Sequence, residues 1–159
     1  MKIRMYTSPK LRTICSPIEK ITPEIKKLAK RMVRYVEKNV NCIGLAAPQV
    51  GHTIQLIVAR MQLTDDDGSN YRTIEVMLNP RIDDASEAME TEKEGCLSCP
   101  GEMRAVARHK RVAVSYMNLD GELYSLLLSG MPARVVQHEI DHLNGILIID
   151  PERSSESLK

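Results

Sequence analysis

The sequence predicts an α+β fold in which antiparallel strands surround a central helix. Three observations support this prediction: an amphipathic helix with a start signal near residue 22, short apolar runs separated by turn residues, and a second helix that carries the segment HEIDH at residues 138–142. The 159 residues contain no repeat and no linker-like stretch. We therefore expect a single domain over residues 1–159, with a polar tail at about 151–159.

The first helix is predicted to begin at Pro23. Thr22 offers a capping hydroxyl, proline fits the first helical position, and Glu24 places an acidic side chain in the first turn. Apolar residues then recur at helical spacing until about Asn39. This apolar face consists of Ile25, Leu28, Met32, Val33 and Val36.

Short apolar runs bounded by turn residues predict the strands. The predicted strands cover residues 54–59, 72–78, 111–117 and 122–128. The segment Asn-Leu-Asp-Gly at residues 118–121 is typical of a hairpin turn, so the last two strands should pair antiparallel. Residues 64–69 contain three aspartates and a glycine and are predicted to form a loop.

The second helix is predicted to open at residues 129–132, Ser-Gly-Met-Pro, and to end near Gly145. His138 and His142 are four residues apart and therefore lie on the same helical face, with Glu139 on the adjoining flank. Two imidazoles and a carboxylate in this arrangement can hold a divalent metal and keep a base beside its water. Two surface histidines on an amphipathic helix are the alternative.

A metal on two imidazoles needs a third protein ligand. A downstream histidine is excluded because Ile148 occupies the position where metzincin proteases carry one, and Glu152 and Glu156 lie in the polar tail. The upstream candidate is Cys96, in the segment EGCLS, since a thiolate ligates zinc or ferrous iron well. One cysteine and two histidines would leave an open, catalytic position. The alternative is that Cys96 is a small buried apolar residue.

A third segment, GLAAPQVG at residues 44–51, is too rich in glycine and proline to be a good helix. Its one polar side chain is Gln49, whose amide could donate to a developing oxyanion. The alternative is a tight turn that leaves Gln49 in solvent.

Together, GLAAPQVG, EGCLS and HEIDH resemble the peptide deformylase family, whose members remove the N-formyl group from new bacterial and organellar polypeptides. The three motifs stand in the family's order, and the resemblance extends from about residue 3 to Asp150. It implies that the single domain is catalytic and that the central helix bears the metal. It also implies that the substrates are the N-formyl-Met ends of nascent chains and that formate is released.

The resemblance implies a role for each site residue. The metal ligands are Cys96, His138 and His142. Glu139 takes a proton from water and delivers it to the departing amine, while the Leu97 backbone N–H and the Gln49 amide meet the oxyanion together with the metal. The resemblance also implies that Ile43, Gly44 and Gly95 bind the peptide through backbone hydrogen bonds. Val135 would form part of the wall of the methionine pocket.

Ligand type alone suits zinc. The resembled family usually works with ferrous iron, and nickel or cobalt can substitute. We therefore expect one divalent ion, Fe(II) in the cell, with zinc entering during aerobic purification.

The amino-acid composition limits which binding partners and which cellular compartment are expected. Twenty-two Lys and Arg against 21 Asp and Glu give a net charge of +1, so there is no strong electrostatic case for nucleic acid or an anionic membrane. No apolar run approaches the roughly 20 residues that span a bilayer, and the charged N-terminus is unlike a secretory signal. Nothing else in the sequence is typical of a secreted protein, so the four cysteines are expected to be reduced and the protein cytoplasmic. The family resemblance implies a bacterial or phage source, with an organellar source still open.

Several alternatives stay open at this stage. The chain could be a small zinc peptidase in which EGCLS is accidental, or a non-catalytic metal-binding relative. Transient ribosome contact is open as well, because many bacterial members continue into a C-terminal helix beyond the position of Asp150.

Two individual residues also have open roles. Cys42 replaces a glycine of the family and either narrows the pocket or packs in the core. Asp141 orients an imidazole, anchors the helix or is solvated.

Overall fold

The computed structural model of the chain describes residues 1–64 and 67–150. The predicted tail at 151–159 and part of the predicted loop at 64–69 lie outside the described residues. The described helices are α1, Pro23–Lys38, and α2, Gly130–Leu143, with short 3₁₀ turns at Pro9–Arg12 and Ala47–Val50. The described strands are β1, Gly44–Ala46; β2, Leu56–Thr64; β3, Asn70–Ala85; β4, Met89–Cys96; β5, Cys99–His109; β6, Arg111–Met117; and β7, Leu123–Ser129.

The strands form two antiparallel sheets around α2. The larger sheet has five strands in the order β1-β2-β3-β6-β7, and β4 and β5 form a separate two-stranded sheet. Helix α2 packs against strands of both sheets, while α1 packs against β1, β2 and β3. The predicted α+β arrangement, with antiparallel strands around a central helix, is confirmed. Neither described helix has the length and apolar character needed to cross a bilayer.

Helix α1 begins as the sequence predicts. The Thr22 hydroxyl accepts a hydrogen bond from the Ile25 N–H at 3.4 Å, which satisfies one of the donors at the start of the helix. The helix ends at Lys38, one residue before the predicted limit. Its apolar face is buried against the larger sheet, mainly through Leu28 and Met32.

The start of strand β2 is buried on both faces, and this burial explains the continuous apolar run that predicted it. Successive side chains of a strand point to opposite faces, and β2 is covered on both. Ile57 and Ala59 belong to the apolar cluster that includes α2, whereas Leu56 and Val58 belong to the cluster that includes α1. A strand segment buried on both faces cannot alternate with polar residues, so the first four residues of β2, at positions 56–59, are all apolar.

The sequence analysis missed β1, β4 and β5. Strand β4 reads METEKEGC and is exposed along most of its length, so it contains no apolar run to detect. Its pairing with β5 continues from Met89 opposite His109 to Cys96 opposite Cys99. The tight turn at Leu97 and Ser98 joins the two strands. This hairpin places the EGCLS motif at the tip of a two-stranded sheet.

The C-terminal end of α2 is held by the N-terminal segment of the chain. The Cys15 N–H donates to the Leu143 carbonyl at 2.8 Å, and the Arg12 guanidinium pairs with Asp150 at 2.6 Å. Gly145 follows the helix with a φ of 76°, as predicted for a residue at the C′ position. A Cβ at Gly145 would lie 2.9 Å from the backbone carbon of Arg12, so the close approach requires glycine.

We expect Gly145→Ala to destabilise the protein more than Gly121→Ala. Both glycines have positive φ, 76° and 88°, so both alanines incur roughly 1–2 kcal/mol for a left-handed conformation. Only Gly145 also faces backbone atoms, which should add about 1–3 kcal/mol, whereas a Cβ at Gly121 meets nothing closer than 3.9 Å. Urea unfolding measures both variants, and equal losses of stability would contradict the importance of the Arg12 contact.

Candidate metal centre

Helix α2 and the tip of the β4–β5 hairpin bring the three predicted metal ligands together. The candidate ligand atoms of Cys96, His138 and His142 all lie within 4.8 Å of one another. The Cys96 Sγ is 3.3 Å from the His142 Nε2, and the two imidazole rings meet edge to face with centroids 4.9 Å apart. His142 is buried and His138 is largely so, which argues against two surface histidines. The proximity of the three side chains favours Cys96 as a ligand over an unrelated buried cysteine.

The chemistry of this donor set fits a divalent cation. Contact with Cys99, together with burial, raises the pKa of the Cys96 thiol far above its usual range, so the thiolate needs a nearby cation to form at neutral pH. Burial lowers the pKa of His142 well below its usual range, which keeps this imidazole neutral and able to ligate. One thiolate and two imidazoles leave a fourth position open, the arrangement of a catalytic rather than a structural ion.

Glu94 fixes the orientation of His138. Its Oε2 lies 2.9 Å from the His138 Nδ1, which leaves the Nε2 of that ring to face the metal position. Arg108 donates two hydrogen bonds to Glu94, at 2.6 and 2.8 Å, and Arg134 donates a third at 2.7 Å. Burial alone would raise the pKa of Glu94, but the hydrogen bonds from Arg108 and His138 outweigh it and hold the pKa well below its usual range.

Asp141 anchors the helix rather than an imidazole. Its carboxylate accepts a hydrogen bond from Arg108 at 2.8 Å, and both side chains are buried. Arg108 thus joins Asp141 on α2 to Glu94 on β4, while Arg134 supplies a second cation. Two buried carboxylates are balanced by two buried guanidiniums, and loss of one member would leave an uncompensated charge.

The sequence analysis did not assign roles to Glu94, Arg108 or Arg134. Glu94 lies within EGCLS, but a carboxylate beside a cysteine does not by itself indicate a contact with a histidine 44 residues away. Arg134 gave a usable signal, because it precedes His138 by four residues and therefore shares its buried helical face. Arg108 lies in β5, a strand that was not predicted, and no motif marks it.

Gln49 is buried against the cysteine ligand. Its Oε1 accepts a hydrogen bond from the Ala46 N–H at 2.8 Å, which fixes the orientation of the amide. Its Nε2 donates to the Ser98 Oγ at 3.2 Å and points at the Cys96 Sγ from 3.6 Å. The side chain is only 2% exposed, so the alternative that leaves Gln49 in solvent is wrong.

Glu139 lies beside the metal position in a buried environment. Its Oε2 is shielded from solvent and has no hydrogen-bond partner among the described residues. Burial raises the pKa of Glu139 to about 7. The carboxylate occupies the space over the Cα of Gly44, where a Cβ would overlap the Glu139 Oε1. Gly44 therefore provides room for this carboxylate, a steric role that the sequence analysis did not foresee.

A cavity of about 530 Å³ opens onto two of the three candidate ligands, Cys96 and His138, and onto Glu139, while His142 is buried behind them. The predicted substrate-binding residues Ile43, Gly44, Gly95 and Val135 line it, together with Leu97. Strand β1 is at the edge of the larger sheet and β4 pairs only with β5, so two free strand edges flank the opening. The exposed side chains of Met103 and Met131, which the sequence analysis missed, also line the cavity.

Cys42 packs in the core. Its side chain is 2% exposed, belongs to the apolar cluster around α1, and donates a hydrogen bond from Sγ to the Gly44 carbonyl at 3.2 Å. Burial raises the pKa of its thiol to about 11. Although Cys42 also borders the cavity, these contacts favour the packing interpretation over that of a reactive thiol.

Comparisons with known proteins agree on one family. A sequence model described as polypeptide deformylase matches residues 1–157. The peptide deformylase of Nitrobacter hamburgensis is 39% identical over 149 residues, which cover 94% of this chain and 85% of the relative. The crystal structure of peptide deformylase from Thermotoga maritima superposes with a TM-score of 0.84 at 38% identity and covers 97% of both chains. A class I type b peptide deformylase from Acinetobacter baumannii, crystallised with bound Met-Ala-Ser, superposes with a TM-score of 0.83 at 34% identity and covers 96% of this chain and 97% of its own.

We expect Glu94→Gln to weaken metal binding by about 10–100-fold, because the imidazole of His138 loses the carboxylate that orients it. Glu92→Gln is the matched control. The Glu92 carboxylate also pairs with Arg134, at 3.1 Å, but its side chain is 46% exposed. Competition with a chelator of known affinity measures both variants. Equal weakening in the two would show that Arg134, rather than the His138 contact, accounts for the effect.

Proposed function

The chain belongs to the peptide deformylase family, and on that premise we propose that Cys96, His138 and His142 hold its catalytic metal ion and that Glu139 moves the proton. The function is metal-dependent removal of the N-formyl group from the N-terminal methionine of newly made polypeptides, with release of formate. The observation that supports the assignment of residues is the convergence of three ligand atoms within 4.8 Å beside a cavity that the buried Glu139 also lines.

Glu139 is the proposed general base and acid. A bound divalent ion would supply the positive charge that lowers the pKa of a water molecule from 15.7 toward roughly 7. Burial raises the pKa of the Glu139 carboxyl to about 7. Because this value is close to the pKa of such a water molecule, Glu139 can accept its proton and later return it. The unpartnered Oε2 is the atom we assign to hold the proton between attack on the formyl carbon and departure of the amine.

Gln49 and Leu97 are the proposed donors to the oxyanion. The Gln49 Nε2 carries two hydrogens, and the long 3.6 Å contact with the Cys96 Sγ is weak, so that hydrogen is available to a substrate oxygen placed beside the sulfur. Leu97 lies in the turn beside Cys96 and lines the cavity, so its backbone N–H is proposed as the second donor. Loss of one such donor typically costs about 3 kcal/mol of barrier.

The peptide is proposed to lie as an added strand along the free edges of β1 and β4. The Ile43 carbonyl already accepts a hydrogen bond from the Arg60 N–H at 2.8 Å, so the Ile43 N–H is the group left for the substrate. Gly44 and Gly95 would supply the other backbone contacts. Val135, which is 3% exposed and lines the cavity, is proposed as a wall for the methionine side chain.

The contacts of the EGCLS segment support the deformylase proposal over a peptidase in which that segment is accidental. Cys96 supplies a candidate ligand atom, and Glu94 contacts the ring of His138 at 2.9 Å. We therefore assign both Cys96 and Glu94 to the proposed centre.

We also propose the cellular setting. Residues 1–159 act as a single catalytic domain in the cytoplasm of a bacterial or phage-infected cell, on the N-formyl-Met ends of nascent chains. Contact with the ribosome is proposed to be transient, without a specific nucleic-acid or membrane partner.

Fe(II) is the proposed native metal. A thiolate and two imidazoles also accept zinc, nickel or cobalt, so the ligands alone do not select one ion. Protein purified without oxygen should contain close to one iron per chain and should lose activity on exposure to air as iron is replaced or oxidised. Metal analysis paired with formate release measures this. Full activity in a preparation that contains zinc and no iron would overturn the assignment.

We expect Glu139→Gln to retain the metal but to lose hydrolysis of formyl-Met-Ala-Ser by about 10²–10⁴-fold, the usual contribution of general-base catalysis. Glutamine preserves the shape of the side chain but cannot accept the proton. Formate release and metal content are measured on the same sample. A loss of less than about tenfold would show that Glu139 is not the base.

Gly44→Ala provides an independent test of the same carboxylate. A methyl group at Gly44 would displace the Glu139 Oε1 while leaving all three ligands unchanged. This variant should therefore also lose turnover at unchanged metal content. Gly95→Ala is its control, because a Cβ there meets the flexible end of Met103 at 3.0 Å rather than the base.

A further inference from the structure

A second thiol lies beside the proposed cysteine ligand. Cys96 ends β4 and Cys99 begins β5, with the two-residue turn between them, so the segment reads Cys-Leu-Ser-Cys. The two cysteines are paired opposite each other at the end of the β4–β5 ladder, just after a register shift at Gly95, and the neighbouring Cys99 side chain raises the pKa of the Cys96 thiol. The mechanism described above gives Cys99 no role.

The position of this pair meets the geometric requirement for a disulfide. Residues directly opposite each other in an antiparallel ladder have Cα atoms about 4.5–5.5 Å apart. Disulfides form when the Cα atoms are roughly 4.4–6.8 Å apart. Both cysteines pack against the small apolar cluster that contains Leu11 and Val106, and both line the cavity of about 530 Å³. A small oxidant that enters the cavity therefore reaches both sulfurs.

We propose that Cys96 and Cys99 form a reversible disulfide when the protein meets a peroxide, with Cys99 acting as the resolving thiol. The inference rests on the proposed function only in that Cys96 is taken to be a metal ligand. A cysteine that is oxidised beside a resolving thiol condenses to a disulfide instead of proceeding to irreversible acids. Cys99 thus protects the ligand from permanent loss.

The chemical steps balance. The Cys96 thiolate attacks hydrogen peroxide, the O–O bond breaks, and Cys96 sulfenic acid and hydroxide form; a proton from solvent converts the hydroxide to water. The Cys99 thiol then attacks that sulfur, an S–S bond replaces the S–O bond, and a second water leaves with the thiol proton. Each cysteine gives up one electron, and peroxide takes both. Because a disulfide sulfur is no longer a thiolate, the metal loses one ligand and dissociates.

The other two cysteines cannot take this role. Cys42 lies in the cluster around α1, where its Sγ donates to the Gly44 carbonyl at 3.2 Å. Cys15 is buried in the cluster that includes α2. Neither is paired with Cys96 in the strand ladder, so the disulfide should be confined to one short segment of sequence.

The test uses the zinc-loaded protein, because zinc has no redox chemistry of its own, and treats it with hydrogen peroxide. Three measurements follow: the number of free thiols, the zinc released, and the mass of the tryptic peptide that spans residues 94–104. We expect the loss of two thiols per chain, release of zinc, and a peptide lighter by two hydrogens. Dithiothreitol followed by fresh zinc should restore both thiols and metal.

Cys99→Ala should bind zinc normally before oxidation but accumulate sulfinic and sulfonic acid at Cys96, which dithiothreitol does not reverse. Cys99→Val, which conserves more of the buried volume, replaces it if the alanine variant is unstable. Cys42→Ala is the control and should behave like the wild type. Equal recovery of zinc binding in wild type and the Cys99 variants would overturn the proposal, as would a wild-type peptide that gains oxygen instead of losing hydrogen.

These measurements do not use turnover. A protein that fails to hydrolyse formyl-Met-Ala-Ser would contradict the proposed function, while the thiol count and the peptide mass would still decide whether Cys99 resolves Cys96.

Discussion

The geometry of the metal centre depends on one buried carboxylate. Glu94 extends from β4, accepts hydrogen bonds from Arg108 on β5 and Arg134 on α2, and contacts the His138 ring. It therefore connects the two-stranded sheet, which carries the cysteine ligand, to the helix that carries both histidines. Other polar contacts, such as the Arg108–Asp141 pair, also join the hairpin to the helix, but Glu94 is the residue that links this network to the His138 ring itself.

Burial of this network costs free energy of hydration, and the protein offsets that cost by pairing opposite charges. A carboxylate removed from water loses hydration, and only paired cations with good hydrogen-bond geometry compensate for it. Arg108 achieves this for two carboxylates at once, with Glu94 on one side and Asp141 on the other. The same hydrogen bonds that neutralise Glu94 also prevent it from rotating toward the metal position. It therefore remains a partner of His138 and does not compete as a ligand.

The sequence predicted which residues converge at the candidate centre more fully than it predicted the fold around them. The three ligands and Glu139 lie in short motifs whose spacing reflects the chemistry directly, since residues four apart on a helix must share a face. Strands β4 and β5 were missed because Met89–Cys96 is largely exposed and charged, and an exposed hairpin needs no apolar pattern. Arg108 was missed for a related reason, because its role comes from contacts with residues distant in sequence. The fit between Gly44 and Glu139 is likewise a property of packing, which no local pattern records.

The packing of α2 determines when the centre can assemble. The helix supplies two ligands, yet it contacts β1 near residue 44 and receives a hydrogen bond from Cys15 at its end. During synthesis the cysteine motif leaves the ribosome more than 40 residues before His142, so early chains present thiols without the imidazoles that complete the site. Under the proposed ligand assignment, metal capture would be coupled to the closing of these long-range contacts. A chain in which α2 has not yet formed presents Cys96 without the two imidazoles, so the proposed site is complete only once that helix has packed.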